Sequence, residues 1–281
     1  MISIVTANRN RLPELLKVIP SWQKADLVSE IIVVDFGSDQ PIEISHFQSS
    51  AKIRVVRTLT SSTWRIGLAI NIGCDFATES KILKLDSDME LLEPERFKEF
   101  DLTSSFYRGH YKGPISNGQV FFAKQHWQAV GGYNEWLSGY GFDDTDYYIR
   151  LRNSGVEEKR ILPNLLREHS HSHDVRVRGS IETEFVNLPS LTPEQKIEYL
   201  NACNTFLAMM RAWNPSLRTQ YSSTRRDDGI HLVQLGQFSS DYRWSDALAN
   251  VLAVVRMSGS KSTVSLLHSV VLGYIADAGG F

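Results

Sequence analysis

The segment EIIVVDF, residues 30–36, decides the fold class of this chain. Its unbroken run of β-branched residues is typical of a strand that is buried on both faces of a parallel sheet. A second such run, ISIVTA, occupies residues 2–7, and apolar residues recur at helical spacing from Leu12 to Trp22 between the two runs. The pattern predicts a β-α-β unit at the start of the chain.

The same alternation continues outward from this unit. Residues 52–58 and 80–88 are predicted to be strands, with a helix over residues 66–78 between them. Further on, a strand over 118–124 and a helix over 145–154 that Gly155 ends are expected. The predicted fold class is therefore α/β, an open and mostly parallel sheet.

Beyond about residue 175 the strand signal fades, and helices are predicted over residues 192–213, 244–255 and 262–276. The expected organisation is one domain at 1–180 and a helical C-terminal region at 181–281. Apolar residues at helical spacing in that region favour a core or a dimer seam over a membrane anchor. A homo-oligomer through the C-terminal helices is therefore left open.

Composition excludes several classes of protein. The 281 residues are 42% hydrophobic and 22% charged, which is enough to bury a full core. Thirty Lys and Arg against 32 Asp and Glu give a formal charge of -2, so no global field favours nucleic acid. Two cysteines, Cys74 and Cys203, do not make a disulfide framework. Without a signal peptide or an apolar run of about 18 residues, a cytoplasmic protein without a transmembrane segment is expected, with contact at the inner face of a membrane left open.

Polar residues follow several of the predicted strands. Open α/β sheets bind ligands beyond the carboxyl ends of their strands, so these residues are the first functional candidates. They are Thr6, Asn8, Arg9, Asp35, Asp86 and Asp88. The Asp86-Ser87-Asp88 sequence could hold Mg²⁺ or Mn²⁺ by carboxylate oxygens, although two acids beside a serine also occur on solvated loops.

A second acidic cluster lies in SGYGFDDTDYYIRLRNSG, residues 138–155. Helix capping alone explains Asp144 or Thr145 as the cap and Asp146 in the first turn. Capping does not explain the preceding glycines with Tyr140 and Phe142, which suggest backbone close to a ligand and aromatic surface for a sugar.

Three histidines, His169, His171 and His173, alternate along residues 169–173. In an extended segment they share one face, and neutral imidazole is a ligand for ions such as Mn²⁺. A polar loop is the alternative interpretation.

Taken in order, SIVTANRNR, VVDFGS, WRIGLAINIGCDFA, LKLDSDME, GGYNE and GYGFDDTDYYIRLRNSG resemble the motifs of GT-A glycosyltransferases, the nucleotide-sugar-dependent group that contains the family 2 enzymes. The later motifs are similar to the carboxyl-terminal signature of galactosyl- and N-acetylgalactosaminyltransferases. The resemblance covers about residues 1–175.

The resemblance implies a set of nucleotide-sugar contacts. They are Thr6, Asn8, Arg9, Asp35, Arg65, Asn71 and Asp86. Phe36 stands where the family has a second acid, and Ile70 stands where arginine is frequent, so Arg65 is the substitute cation for the diphosphate. For Asp35, a strand-end turn is the structural alternative.

The resemblance also implies a metal and a catalytic pair. Asp88 would coordinate Mn²⁺ or Mg²⁺ together with His171 or His169. Asp143 would bind the acceptor hydroxyl and Asp144 would act as the general base of an inverting transfer. The helix dipole is expected to lower the proton affinity of that base.

The expected activity is transfer of a UDP-linked hexose or N-acetylhexosamine to a saccharide hydroxyl, in the synthesis of surface polysaccharides or glycoconjugates. Tyr140 and Phe142 are the candidate acceptor-binding residues. Because Phe36 and Ile70 replace expected polar residues, a non-catalytic saccharide-binding or scaffolding protein is the first alternative. A nucleotidyltransferase that releases pyrophosphate is the second.

Overall fold

A computed structural model describes residues 1–48, 51–60, 64–110, 117–169, 193–210 and 212–236. In chain order its strands are β1 Ile2–Asn8, β2 Val28–Phe36, β3 Ile53–Thr58, β4 Lys81–Lys84, β5 Met89–Leu91, β6 Ser105–Arg108, β7 Val120–Ala123, β8 Glu157–Arg160, β9 Leu166–Glu168, β10 Tyr221–Arg225 and β11 His231–Leu235. The helices are α1 Leu12–Lys24, α2 Ile66–Phe76, α3 Lys124–Ala129, α4 Asp143–Asn153 and α5 Pro193–Met210, with 3-10 turns at Ile44–His46, Pro94–Glu99 and Pro215–Leu217.

Nine strands form the main sheet in the order β10-β11-β3-β2-β1-β4-β7-β6-β8, and β5 pairs with β9 in a small second sheet. The strands β1 to β4 and β11 run parallel, whereas β7 runs antiparallel to both β4 and β6. The mostly parallel α/β sheet confirms the predicted fold class.

The ends of these strands define the edge at which ligands bind in such folds. Asn8 and Lys84 end the parallel strands β1 and β4 there. Val120 begins β7 at the same edge, because it pairs with Lys84 on one side and Arg108 on the other. Arg160 ends β8 beside Arg108. This row of strand ends is called the carboxyl edge below.

Helices cover both faces of the sheet. Neighbouring residues of a strand point to opposite faces and therefore belong to different cores. Ile4 belongs to the apolar core under α1, and Val5 to the core under α2. On the α1 side, Trp22 is fully buried and its Nε1 donates to the carbonyl of Met89 at 2.8 Å. On the α2 side, Gly73 lets the helix backbone approach the sheet closely.

The sequence predicted β1 to β4, β7, α1, α2 and α4, with bounds that shift by a few residues, but it did not predict β6. The helix expected from Thr145 begins two residues earlier, at Asp143, and the strand expected over 80–88 is interrupted after Lys84. There the chain turns through Leu85 to Asp88 and enters β5. That turn carries both acids of the Asp-Ser-Asp sequence.

The C-terminal region, predicted to be helical, also contains two strands in the described residues. Helix α5 matches the expectation, but β10 and β11 form an antiparallel hairpin, and β11 pairs in parallel with β3. Residues 221–235 therefore extend the main sheet. Short strands with polar outer faces, such as YSSTR, give weak sequence signals. The boundary at residue 180 stays a prediction, and the helices expected beyond 236 lie outside the described residues.

No helix in the described part of the chain is long and apolar enough to cross a membrane. The longest of them, α5, has 18 residues.

Replacing Gly73 with alanine should destabilise the contact between α2 and the sheet. A β-carbon there would lie 2.5 Å from Val5 Cγ1 and 3.0 Å from Val34 Cγ2. We expect Gly73→Ala to lower the free energy of unfolding by about 1–3 kcal/mol, measured by urea denaturation. Because Val5→Ala removes the nearer atom, the double variant should lose less stability than the sum of the single variants. Strictly additive losses would contradict this close packing.

Candidate active site

Four residues from three parts of the chain meet at the carboxyl edge. A β-carbon placed on Gly118 would lie 2.8 Å from Asp86 Oδ2, 3.3 Å from Asp144 Oδ2 and 3.3 Å from Lys84 Nζ. Asp86 follows β4, Gly118 precedes β7, and Asp144 is in the first turn of α4. Because glycine has no side chain, the two carboxylates and the ammonium group can surround its Cα.

Lys84 is the buried cation of this group, with a side chain that is 1% exposed. Its ammonium group donates to Asp86 Oδ1 at 2.9 Å and to the Gly118 carbonyl at 2.6 Å, and it lies 3.6 Å from Asp144 Oδ1. Burial acts to lower the pKa of Lys84, but the carboxylates of Asp144 and Asp86 outweigh it and raise that pKa above its ordinary value. Lys84 therefore stays protonated.

Asp86 is held on both sides. Its backbone N–H donates to Gln119 Oε1 at 2.9 Å, and Gln119 Nε2 donates to Asp86 Oδ2 at 2.6 Å. Burial acts to raise the pKa of Asp86, but Lys84, Gln119 and the charge of Arg11 together hold that pKa below its ordinary value. Asp86 is thus a fixed, ionised carboxylate.

Asp143 and Asp144 begin helix α4 and behave differently. Burial first, and then the charge of Asp144, raise the pKa of Asp143 to about 7. Burial also raises the pKa of Asp144, with Asp86 adding to the effect and Lys84 opposing it. The expectation of a lowered proton affinity for Asp144 is therefore wrong, because the net shift of its pKa is upward. A carboxylate pair with raised proton affinity is suited to accept a proton near neutral pH.

The predicted helix cap, Asp144 or Thr145, is wrong, whereas Asp146 lies in the first turn of α4 as expected. The N-cap position belongs to Phe142, whose φ of 67° is left-handed and whose side chain makes no capping bond. Asp146 is buried, and its Oδ2 accepts from Arg150 Nη2 at 2.6 Å. Arg150 in turn donates to the carbonyls of Val130 and Gly132. Asp146 therefore positions the arginine that holds the loop before Tyr133.

Asp88 lies immediately before β5, beside the end of β9. Its side chain is 5% exposed, and its Oδ2 lies 2.9 Å from Arg11 Nη2. The backbone N–H of His169 donates to the Asp88 carbonyl at 2.9 Å, so the two residues are neighbours across the small sheet. The His169 ring contacts Glu90, with Nε2 2.8 Å from Oε2.

The residues around Asp88 fit a divalent cation in kind. A carboxylate and an imidazole are ligands that Mn²⁺ accepts, but Arg11 pairs with Asp88 Oδ2 and would have to leave that oxygen for a metal to bind there. The described residues contain no cluster of three or more His, Cys, Asp or Glu side chains placed to hold a metal. His171, the other predicted ligand, lies outside the described residues, as does His173.

The side chains predicted to contact the nucleotide at the ends of β1 and β2 are mainly buried or bonded to other protein atoms. Asp35 is fully buried, and its oxygens accept from Ser38 N at 3.0 Å and Ile42 N at 3.1 Å and pair with Arg57. The turn interpretation of Asp35 is therefore the one that its contacts support. Thr6 is also fully buried.

Asn8 organises the turn after β1. Its Nδ2 donates to Ser87 Oγ at 3.2 Å, its Oδ1 accepts from Arg11 N at 3.1 Å, and it is 1% exposed. Through Ser87 and Arg11, Asn8 holds the turn that carries Asp86 and Asp88. Arg9, the next residue, is half-buried.

Asn71 has a structural role. It is fully buried in α2, where its Nδ2 donates to the Tyr133 carbonyl and Glu135 Oε1, both at 2.8 Å, and its Oδ1 accepts from Trp127 Nε1. These bonds leave no face of Asn71 for a nucleotide. Arg65 is half-buried immediately before α2, next to Trp64, whose carbonyl accepts from Gly139 N at 2.8 Å.

The two predicted acceptor-binding aromatics differ in exposure. Phe142 is 9% exposed and packs with Leu137 and Leu207 of α5, so the structure gives it a packing role. Tyr140 is half-buried. It remains a candidate for contact with a saccharide.

Sequence reasoning missed Lys84, Gln119 and Tyr133. The hydroxyl of Tyr133 lies 3.4 Å from Asp144 Oδ1, so it adds a neutral donor to the proposed base. One signal was present in the sequence: Lys84 interrupts the apolar run KILKL at a position that a central strand buries. A buried lysine requires a carboxylate partner, and Asp86 lies two residues later.

A sequence model of the family described as the N-terminal domain of galactosyltransferase matches residues 99–174. This segment contains Gly118, Asp143, Asp144 and His169. No curated protein sequence matches the chain significantly.

Two solved glycosyltransferases have similar structures. The catalytic domain of Drosophila β1,4-galactosyltransferase 7 in complex with xylobiose aligns with a TM-score of 0.52 and 14% identity, over 85% of this chain and 94% of that one. The mannosyltransferase PcManGT from Pyrobaculum calidifontis, in complex with GDP-Man and Mn²⁺, aligns with a TM-score of 0.51 and 12% identity, over 98% of this chain and 80% of that one. The similarity confirms the predicted GT-A fold.

Replacing Asp143 with asparagine should make stability less dependent on pH. With its pKa raised to about 7, the folded protein keeps this proton up to that pH, whereas the unfolded chain releases it near pH 4. The wild type therefore loses stability between about pH 4 and pH 7, whereas an asparagine side chain at this position cannot ionise. As the pH rises across this interval, the melting temperature of Asp143→Asn should therefore increase relative to that of the wild type.

The exposed change Asp26→Asn controls for the loss of one negative charge. Thermal unfolding of the three proteins, followed by circular dichroism from about pH 4.5 to about pH 8, makes the comparison. If the melting-temperature difference between Asp143→Asn and the wild type does not change with pH, Asp143 has the same pKa in the folded protein as in the unfolded chain.

Proposed function

We propose that this protein is a glycosyltransferase that moves a sugar from a nucleotide sugar to a saccharide hydroxyl, with Asp144 as the general base. The observation that carries the proposal is the meeting of Asp86, Lys84 and Asp144 around Gly118 at the carboxyl edge. The GT-A fold and the galactosyltransferase segment support a hexosyltransferase in particular.

The proposed donor is a UDP-linked hexose or N-acetylhexosamine. In support, a mutant of the Drosophila galactosyltransferase has been solved with manganese, UDP-Gal and xylobiose, with a TM-score of 0.52 to this chain. The mannosyltransferase binds GDP-Man, so both neighbours bind a nucleotide sugar, although the nucleobase of the donor differs. The galactosyltransferase segment in this chain favours UDP.

In the proposed reaction, Asp144 accepts the proton of the acceptor hydroxyl as the hydroxyl oxygen attacks the anomeric carbon, and the bond from that carbon to the nucleoside diphosphate breaks. A single displacement of this kind inverts the configuration. Lys84 stays protonated 3.6 Å from Asp144 and balances the carboxylates of Asp86 and Asp144. Asp143 binds the acceptor hydroxyl, and its raised proton affinity lets the pair share one proton near neutral pH.

Asp88 with His169 or His171 is the proposed site of Mn²⁺ or Mg²⁺. The metal would stabilise the negative charge of the departing nucleoside diphosphate. Arg11 shares the Asp88 carboxylate, and its positive charge would act on the diphosphate in the same direction. Arg9 and Arg65, both half-buried, remain proposed contacts of the donor.

A saccharide-binding protein without catalysis is the second candidate. It is favoured by Asp35 and Asn71, whose side chains form hydrogen bonds within the protein. It is also favoured by Phe36, which is buried with its ring centre 5.6 Å from that of Trp64. Asp35 and Asn71 are thereby withdrawn from nucleotide contact, and Phe36 replaces a third contact. A role in surface polysaccharide or glycoconjugate synthesis, in the cytoplasm or at the inner face of a membrane, belongs to the enzyme proposal.

The base assignment predicts a specific loss of turnover. We expect Asp144→Asn to lower kcat by about 10²- to 10⁴-fold, since a general base contributes about that much. The rate of the wild type should rise with pH through about 7, because the pair must lose its proton. Release of UDP from a panel of UDP-sugars and saccharide acceptors measures both effects, with the exposed Asp26→Asn as control. Full activity of Asp144→Asn with an unchanged pH profile would exclude Asp144.

Nucleotide binding should require a divalent cation and Asp88. Calorimetry of UDP with and without Mn²⁺ should give tight binding only with the metal, and EDTA should reverse it. Asp88→Ala should not bind UDP tightly even with Mn²⁺, because the variant lacks the proposed metal-binding carboxylate beside His169. Saccharide binding that is indifferent to both UDP and Mn²⁺ would instead identify the non-catalytic candidate.

A further inference from the structure

Three arginines converge on one glutamate at the far end of the carboxyl edge. Arg108 Nη2 and Arg160 Nη2 lie 2.9 Å and 3.0 Å from the same oxygen, Glu158 Oε1. Arg152 Nη1 lies 2.7 Å from the other oxygen, Oε2. Arg108, Arg152 and Arg160 are called the arginine cluster below. Arg108 and Arg160 therefore share a single carboxylate oxygen.

The crowding of like charges is costly for the protein alone. Burial, and next the guanidinium of Arg108, lower the pKa of Arg160, although Glu158 acts in the opposite direction. Arg108 Nε is buried and donates to no atom of the described residues. An arrangement with surplus positive charge and an unused donor is stabilised when an anion binds.

The arginine cluster is connected to the candidate active site. Arg108 contacts the side chain of Asn117, the residue before Gly118, and its guanidinium lies 5.0 Å from the ring centre of Tyr148. The hydroxyl of Tyr148 donates to the Asn117 carbonyl at 2.7 Å. One residue, Asn117, therefore separates the cluster from the point where Asp86 and Asp144 meet.

Helix α4 also sets the distance between the two sites. Asp144, Tyr148 and Arg152 follow each other at intervals of four residues, so they lie along one face of the helix. At about 1.5 Å per residue, Tyr148 is about 6 Å and Arg152 about 12 Å along the axis from the proposed base. A charged group on the sugar that Asp144 activates, or on the next sugar, can reach this far.

We propose that the arginine cluster binds an oxyanion, carboxylate or phosphate, carried by the acceptor, so that the acceptor is an acidic saccharide or a phosphate-linked one. This inference rests on the proposed function. Guanidinium groups bind both oxyanions through paired N–H donors. The side chains of Arg160 and Arg152 are 41% and 31% exposed, so a ligand can reach them, whereas Arg108 at 11% is the anchored member. A charged edge strand that only discourages aggregation is the alternative role for these residues.

The test is equilibrium binding of three probes to the full chain. The probes are a disaccharide glycoside ending in glucuronic acid, its counterpart ending in glucose, and galactose 1-phosphate. Calorimetry at low ionic strength, where screening is weak, compares the wild type with Arg160→Met and Arg160→Lys. Arg96→Met is the matched control, because Arg96 is also 41% exposed and also pairs with glutamates.

Arg160→Met should weaken binding of an anionic probe about tenfold or more, with the glucose probe unchanged. Arg160→Lys should restore part of the affinity, since it keeps the charge and loses the paired donors, and Arg96→Met should have no effect. Stronger binding of the uronate than of the phosphate identifies an acidic sugar, and the reverse identifies a phosphate-linked acceptor.

The proposal is overturned if no anionic probe binds the wild type, or if Arg160→Met and Arg96→Met weaken binding equally. Metal-dependent hydrolysis of UDP-sugars by the wild type tests the proposed function separately. Hydrolysis without anion binding would reject the acidic acceptor alone. Anion binding at Arg160 without any hydrolysis would leave the arginine cluster as the ligand site of a non-catalytic protein.

Discussion

The ammonium group of Lys84 is the interaction on which the candidate active site depends. It is almost fully withdrawn from water, and it joins a strand end, a loop and a helix through Asp86, the Gly118 carbonyl and Asp144. Opposite unit charges about 4 Å apart gain roughly 4 kcal/mol at an effective dielectric of about 20, which offsets much of the cost of burial. Without Lys84, two carboxylates would face each other unbalanced, and the geometry around Gly118 could not persist.

The acids around this ammonium group divide into two kinds. Asp86 has hydrogen-bond donors on both oxygens and a lowered pKa, so it is a permanent charge. Asp143 and Asp144 have raised pKa values because burial outweighs Lys84, with the charge of Asp144 adding to the effect at Asp143 and the charge of Asp86 adding to it at Asp144. Neighbouring titratable groups whose environments separate their proton affinities are the usual arrangement for acid–base chemistry. At the other end of the same carboxyl edge, Arg108 and Arg160 share one oxygen of Glu158, so that end carries positive charge whereas the end at Gly118 carries the acids.

Several polar residues at strand ends hold the site together instead of contacting a ligand. Asp35 accepts two backbone N–H groups and pairs with Arg57, and Asn71 fixes the loop at Tyr133, whose hydroxyl lies close to Asp144. Buried polar groups that lack partners are costly, so these residues meet their requirements within the protein. As a consequence, these bonds hold in place the loops that carry the candidate active site.

The sequence by itself determined the α/β class, the order of the first strands and the placement of Asp86, Asp88, Asp143 and Asp144 at strand and helix ends, because buried strands and amphipathic helices have local periodicity. Only the tertiary structure decided that Lys84 is the shared cation, that Asp35 and Asn71 are internal, and that β10 and β11 join the sheet. The partners of Lys84 and Asn71 are distant in the chain: Gly118 is 34 residues from Lys84, and Glu135 is 64 residues from Asn71. Burial and proton affinity follow from such contacts, and no local pattern contains them.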